Sequence, residues 1–180
     1  VISAIKRAGL EATTVDAMIV AAPGERRRAD FVMRRLATGV VLGFNERGSN
    51  RIVDITECLI LEPNLTALAT NLREVACHLL SPGESGRAQI NILDSGPDLL
   101  LTLPGEPKLE ALEALAKMAE TADICRISTS KTVDGDVVPL LERRPPMIHF
   151  ANVDVSPPPG AFLQATRTGA KAITDSVLAG

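Results

Sequence analysis

The chain has 180 residues, of which 46% are hydrophobic and 23% are charged, and its formal net charge is −3 at pH 7. This composition is typical of a protein with one packed core, and it excludes a disordered chain, a fibrous protein and a helix of the roughly 20 apolar residues that would span a membrane. The negative charge excludes nucleic-acid binding by bulk electrostatics, so any such binding has to be local.

The N-terminal third predicts a short helix followed by antiparallel strands. Ser3 to Ala8 has the spacing of a helix that ends at Gly9. Arg26 to Arg35 alternates between two faces, as a strand does. Its apolar face consists of Ala29, Phe31 and Met33, and its charged face consists of Arg26, Arg28, Asp30 and Arg34. Strands over Val40 to Phe44 and Arg51 to Ile55, joined by the polar loop N-E-R-G-S-N, complete a meander.

Two amphipathic helices are predicted in the middle of the chain. Asn64 to Leu80 carries its apolar residues on one stripe, and Lys108 to Thr121 does so with Leu109, Leu112, Leu115 and Ala119. The other segments predict strands, over Gln89 to Leu93, Leu99 to Leu103, Ile124 to Ser128, Val137 to Leu141 and Ile148 to Val153. We therefore predict an α+β fold, in which an antiparallel sheet built from hairpins carries both helices on one face.

A change in composition near the C-terminus predicts a domain boundary. Three consecutive prolines within residues 155–160 favour a stiff, extended linker, because proline excludes an ordinary helix. The predicted division is a central α+β domain over residues 1–154, the linker, and the start of a second domain over residues 161–180. Arg167 to Leu178 predicts a helix in that second domain. Because the chain does not begin with methionine and stops on this helix, we expect it to be part of a longer protein.

The run Arg26-Arg27-Arg28 is the strongest local charge feature. Guanidinium groups on one strand can hold phosphates bidentately without reading a sequence, so the run is a candidate RNA-phosphate site. A solvated strand end, paired with nearby acidic residues, explains the same pattern equally well. The spacing of the arginines does not decide between the two interpretations.

The sequence contains no complete active-site motif. A glycine-rich phosphate loop, a nucleophile elbow and a zinc-protease helix motif are all missing from it. Cys58, Cys77 and Cys125 are widely spaced, which is typical of reduced thiols in the cytoplasm. Taken alone, Cys58 is a small buried hydrophobic residue. His78 and His149 carry no motif and are interpreted as structural or surface residues.

Three segments in a fixed order resemble a known enzyme family. They are E-R-R-R-A-D-F from Glu25, V-L-G-F-N-E-R-G-S-N-R-I-V-D-I-T-E-C-L-I-L from Val41, and P-G-A-F-L-Q-A-T from Pro159. Together they resemble the RNA uridine-5-methyltransferases, which use S-adenosylmethionine to methylate C5 of a uridine in ribosomal or transfer RNA. The resemblance implies that this chain is the RNA-positioning central domain of such an enzyme and that residues 161–180 begin its methyltransferase domain.

The resemblance also implies roles for individual residues. Arg26, Arg27 and Arg28 would face the RNA, and Phe162 and Gln164 would lie at the rim of the cofactor and substrate pocket. Cys58 matches the last ligand of a [4Fe-4S] cluster whose other ligands lie upstream in the family. The nucleophilic cysteine and the glycine-rich cofactor loop match no residue of this chain, so we expect the chain alone to be inactive and to bind neither cluster nor cofactor. The family has F-x-Q-x-N where this chain has Thr166 in the last position.

A second interpretation belongs to a different class of function. The chain could be a stand-alone α+β module whose arginine strand docks an acidic protein partner. Such a module would bind RNA no better than other polyanions. If the chain is a fragment of the methyltransferase, apolar surface that the missing domain would cover favours a homodimer of the fragment.

Overall fold

One large β-sheet and four helices form the fold, which we describe from a computed structural model covering residues 2–15, 17–150 and 153–179. Within these residues the helices are α1 (Ile2–Arg7), α2 (Pro63–Leu79), α3 (Leu109–Thr121) and α4 (Arg167–Ala179). The strands are β1 (Arg28–Leu36), β2 (Gly39–Asn45), β3 (Ile52–Asp54), β4 (Ser85–Leu93), β5 (Gly96–Thr102), β6 (Arg126–Ser130), β7 (Val138–Glu142), β8 (Ile148–Phe150) and β9 (Val153–Val155). Among these helices, none has the length and apolar character that crossing a membrane requires.

The first seven strands form one sheet in the order β3-β2-β1-β4-β5-β6-β7. All neighbours are antiparallel except β5 and β6, which are parallel because the chain crosses over through α3 between them. The α+β class is therefore confirmed, and the parallel pair is the departure from a sheet made only of hairpins. The predicted strand from Ile148 to Val153 includes residues 151 and 152, which lie outside the described residues; β8 and β9 on either side pair with each other.

The hydrophobic core lies between one face of the sheet and helices α2 and α3. The predicted alternation of β1 is confirmed, since Ala29, Phe31 and Met33 are buried in this core. The predicted stripe of α2 is confirmed as well, by the buried side chains of Leu65, Leu68, Ala69, Leu72, Val75 and Ala76. Burial of these side chains provides the main favourable free energy that fixes both helices on the sheet.

The predicted apolar stripe of α3 is partly wrong. Its buried residues are Ala111, Leu115, Met118 and Ala119. They recur at the spacing of one helix face. Leu109 and Leu112 lie outside that stripe, with 70% and 38% of their surfaces exposed. The larger leucines are exposed because the small alanines on the buried face allow this helix to approach the core closely.

The proline-rich segment lies across the second, more polar face of the sheet. We call residues 157–165 the strap. Arg126 Nη2 donates to the Pro157 carbonyl at 2.9 Å, Gln89 Nε2 donates to the Gly160 carbonyl at 2.7 Å, and Asn91 Nδ2 donates to the Ala161 carbonyl at 3.0 Å. The segment predicted to be a linker is thus held by side chains of two strands, β4 and β6.

Candidate functional site

The three consecutive arginines do not share one face of the sheet. Arg26 is exposed, Arg28 is half-buried, and Arg27 lies on the opposite side with only 3% of its surface exposed. A main-chain hydrogen bond joins the segment before β1 to the end of the strap: the Arg27 amide donates to the Ala165 carbonyl at 2.8 Å. Arg26 forms isolated β-bridges with Leu61 and Thr166. The start of β1 and the end of the strap therefore form one structural unit.

Arg28 and Phe162 are brought together on the polar face. The Arg28 guanidinium carbon lies 4.9 Å from the centre of the Phe162 ring, which is the geometry of a cation–π contact. The ring remains 70% exposed. Arg28 Nε is buried and has no hydrogen-bond partner among the described residues. The pair therefore presents a cation and an aromatic surface side by side, in a position open to a ligand.

The strap residues beyond Phe162 alternate in burial. Leu163 is buried in a small second core with Leu93, Cys125 and Ile148, whereas the flanking Phe162 and Gln164 are exposed. An extended chain sends successive side chains to opposite sides, which explains why the F-x-Q spacing puts the side chains of both Phe162 and Gln164 outward. The Gln164 carbonyl accepts a hydrogen bond from Arg27 Nε at 3.3 Å, so its amide side chain projects from a fixed main chain.

Thr166 departs from the family pattern but has a clear structural role. It precedes α4, and its Oγ1 accepts a hydrogen bond from the Gly169 amide at 3.0 Å. This is the bond by which an N-cap residue satisfies a free amide of the first helical turn. Asparagine caps helices as well as threonine does, so the substitution keeps the capping function.

The polar residues that position the strap carry no motif in the sequence and were not predicted from it. Arg126 pairs with Asp98 in a bidentate contact, with Nε to Oδ1 at 2.8 Å and Nη2 to Oδ2 at 2.9 Å, and the two side chains are 8% and 1% exposed. Burial lowers the pKa of Arg126, but the hydrogen bond and charge of Asp98 raise it more, so the pKa is raised overall. The available signals were Arg126, a charged residue in the middle of a predicted strand, and Asp98, a charged residue directly before another.

Cys58 does not belong to a metal site formed by the described residues. It is a half-buried free thiol that packs against the main core. No group of three or more His, Cys, Asp and Glu side chains in the described ranges could hold a metal ion. Cys77 is a hydrogen-bond partner of Arg35 at 3.3 Å, and Cys125 is buried in the second core. The residues present therefore do not fit a [4Fe-4S] cluster by themselves.

Comparison with known proteins identifies several relatives that match this chain along most of its length. A protein named as an uncharacterized RNA methyltransferase in Rhizobium meliloti is 38% identical over 99% of this chain and 41% of its own length. One in Brucella suis, named in the same way, is 36% identical over 99% of this chain and 41% of its own length. The 23S rRNA (uracil(1939)-C(5))-methyltransferase RlmD of Tolumonas auensis is 30% identical over 69% of this chain and 28% of its own length.

No protein-family model matches the chain. The chain spans about two fifths of the length of the first two relatives, at 41% of each. The match to the Rhizobium meliloti protein covers 99% of the chain and therefore includes the arginine strand, the sheet and the strap. The resemblance noted from the three sequence segments is confirmed: the chain is similar along nearly its whole length to proteins named as RNA methyltransferases, and over 69% of its length to RlmD.

Proposed function

We propose that this chain positions RNA in a cytoplasmic methyltransferase that transfers a methyl group from S-adenosylmethionine to C5 of a uridine in ribosomal RNA. The observation that carries the proposal is the pairing of Arg28 with the exposed ring of Phe162, beside the outward Gln164. The name of RlmD supports the choice of uracil C5 and of 23S rRNA.

The three side chains offer complementary contacts to a nucleotide. Arg28 supplies a guanidinium that suits a phosphate, and Phe162 supplies a ring on which a base can stack. The amide of Gln164 has both donors and acceptors, which suits the edge of a uracil. Arg26 is exposed on the same side and can add a second phosphate contact. Arg27 cannot contribute in the same way because its side chain is buried.

The methyl donor and the cluster place different demands on this chain. S-adenosylmethionine would supply an electrophilic methyl group, and the described residues would contribute Phe162 and Gln164 at the rim of its pocket. A [4Fe-4S] cluster would take one thiolate from Cys58, and its remaining ligands would have to come from residues outside this chain. The role of the chain itself is to hold RNA in register with that pocket.

RNA affinity tests the role of Arg28 in the full-length protein. We expect Arg28→Gln to weaken binding of a fluorescent single-stranded oligouridine by about tenfold to 150-fold, since a hydrogen bond to a charged group contributes roughly 1.5–3 kcal/mol. Loss of one phosphate contact should also reduce the slope of log affinity against log salt by about 0.7. Phe162→Ala should weaken binding by about 1–3 kcal/mol and leave this slope unchanged, because stacking releases no counterion.

Arg34→Gln is the matched control. Arg34 is an exposed arginine near the other end of the same strand, on the same face of the sheet. We expect its replacement to change RNA affinity less than twofold. Equal losses in Arg28→Gln and Arg34→Gln would show that the strand binds polyanions by diffuse charge, as a docking module for an acidic partner would, and would contradict the proposal.

A further inference from the structure

Arg27 is a buried cation without a direct counterion. Only 3% of its surface is exposed, and its Nε donates to the Gln164 carbonyl. Its two terminal nitrogens donate to no described residue, and no carboxylate in the described ranges lies close enough to form an ion pair with it. Buried charges in proteins are ordinarily paired, because removing a charge from water costs several kcal/mol. The guanidinium therefore has unused capacity for an anion.

The Arg27 side chain lines a cleft between the end of β4 and one face of α4. The cleft has a volume of about 410 Å³, which is within the roughly 300–1,000 Å³ of small-ligand sites. Arg167 and Lys171, one turn apart on α4, bring two further cations to its wall. Three positive side chains from different parts of the sequence thus meet in one concave site.

The acidic groups of the cleft are already engaged. Arg167 Nη1 donates to Asp94 Oδ1, and the His149 amide donates to Asp94 Oδ2 at 2.7 Å. Lys171 donates to Asp175 at 2.5 Å. His149 also contacts Asp154 at 2.5 Å through its ring.

Burial and the nearby charge of Arg167 lower the pKa of Arg27, although Asp94 and Glu62 oppose this. The carboxylates therefore do not balance the Arg27 charge by direct contact.

We propose that this cleft is an oxyanion-binding site, in which the terminal nitrogens of Arg27 and the cation of Arg167 hold a phosphate group. A planar guanidinium with two free nitrogens matches the oxygen pairs of a phosphate. The site lies on the opposite side of the β1 strand from Arg28 and Phe162. It is therefore separate from the rim that we propose for the target uridine.

Calorimetric titration with inorganic phosphate tests the site, at pH 7 and at constant ionic strength maintained with chloride. We expect the full-length protein to bind phosphate, and Arg27→Met to weaken this binding tenfold or more. Methionine keeps much of the length and apolar surface of the side chain without its charge. Arg167→Gln should weaken binding severalfold, because it removes one cation from the phosphate and frees Asp94 to neutralise Arg27. Arg167 is exposed, so its replacement does not disturb the core.

Arg34→Gln is the matched control here as well, because it removes the same charge at the far end of the strand and should leave phosphate affinity unchanged. Absence of phosphate binding by the wild-type protein would overturn the proposal. Retention of full affinity in both Arg27→Met and Arg167→Gln would overturn it equally, since neither cation would then contact the ion.

Competition with RNA identifies the source of the phosphate. If single-stranded oligouridine displaces inorganic phosphate and Arg27→Met lowers RNA affinity, the site holds a backbone phosphate of the RNA. If RNA leaves phosphate binding unchanged, the site takes a small free phosphate compound. Both outcomes support the oxyanion site, and neither depends on the roles of Arg28 and Phe162 in methyl transfer.

Discussion

At the scale of single residues, we expect the buried pair of Asp98 and Arg126 to be sensitive to substitution. We expect Asp98→Asn to lower the free energy of unfolding by about 3–5 kcal/mol, because it leaves the Arg126 guanidinium buried without its counterion. Urea denaturation monitored by circular dichroism measures this loss. The Arg126 contact to the Pro157 carbonyl would weaken with it, so the strap should also become more accessible to proteases.

Asp30→Asn provides the comparison for this prediction. Asp30 pairs with Arg87 at 2.5 Å, but both side chains are about two fifths exposed, at 41% and 42%. Exposed pairs contribute about 0–1 kcal/mol because water screens them. A cost for Asp30→Asn as large as that for Asp98→Asn would mean that burial does not determine the effect.

The arginine run shows what a sequence can and cannot reveal about single residues. Alternation along the strand predicted that Arg26 and Arg28 would lie on one side, and their exposures agree. The same alternation puts Arg27 on the opposite side, a consequence that the resemblance to the family obscured. Its partner, the Gln164 carbonyl, is 137 positions away along the chain. No local pattern indicates a contact over such a separation.

At the scale of elements, the strap depends on glycine at one point. Gly160 has a φ of 71°, and a Cβ at this position would lie 2.6 Å from Leu100 Cδ2. We expect Gly160→Ala to lower the free energy of unfolding by about 1–2 kcal/mol, the usual cost of a left-handed backbone for a residue with a side chain. The displaced Leu100 side chain can rotate, so the backbone accounts for most of the loss.

Gly105→Ala should have the opposite effect on the free energy of unfolding and increase it. Gly105 has an ordinary backbone conformation and nothing within 4 Å of an added Cβ. Alanine there reduces the freedom of the unfolded chain and should stabilise the protein by about 0.4–1 kcal/mol. Chemical denaturation of both variants checks the pair, and a stabilised Gly160→Ala would show that the strap does not hold this conformation in solution.

Element boundaries were easier to predict than the orientation of elements. Helix α2 has many large apolar residues and a proline–glycine stop, so its limits and buried face follow from the sequence. In α3 the leucines at 109 and 112 lie on a different face from the buried alanines and methionine. Packing against the rest of the core determines which of these faces is buried. The prolines of the strap predicted an extended chain correctly. Their position on the sheet depends on Gln89, Asn91 and Arg126, which no proline pattern indicates.

At the scale of the whole molecule, three aspartates make stability depend on acid pH. Partial burial raises the pKa of Asp54, but hydrogen bonds from Arg73 and the Leu42 amide and the Arg73 charge lower it more. The pKa of Asp94 is likewise lowered overall, because contacts with His149 and Arg167 outweigh burial. Hydrogen bonds from two arginines lower the pKa of Asp123. Folding therefore favours the charged form of all three carboxyl groups.

The unfolded chain consequently binds more protons than the folded chain in acid. The contribution of these groups is complete above the ordinary aspartate pKa of about 4 and is lost as the pH falls through their lower folded values. We expect the free energy of unfolding to decline below about pH 4. Asp54→Asn should be less stable than wild type at pH 7 and should decline less steeply, as urea denaturation from pH 7 to pH 2.5 would measure.

Asp134→Asn is the control for this pH series. Asp134 is exposed in the turn before β7 and forms no ion pair with any described residue. Its profile should run parallel to that of the wild type. A wild-type stability that does not change between pH 5 and pH 2.5 would contradict the inferred shifts.

The topology of the whole sheet could be predicted only in part. Hairpins such as β1–β2 and β4–β5 are joined by short turns, so pairing of neighbours along the chain was foreseeable. The β1–β4 pair brings together strands separated by α2 and by two other strands, and no turn signal specifies it. The parallel β5–β6 pair could not be predicted, because the sequence does not show that α3 crosses over the sheet and brings β6 alongside β5 in the same direction.

The β-bridge between Arg26 and Thr166 places the start of the segment that contains the sheet beside its end. Everything from residue 26 to residue 166 is thus a closed loop of chain whose beginning and end adjoin. Domains with adjacent ends tolerate circular permutation and insertion into a host protein. The two ends of this unit could accordingly be connected by a short linker, and new ends could be opened in an exposed hairpin turn without moving a strand. A larger enzyme could also carry the unit as an insertion.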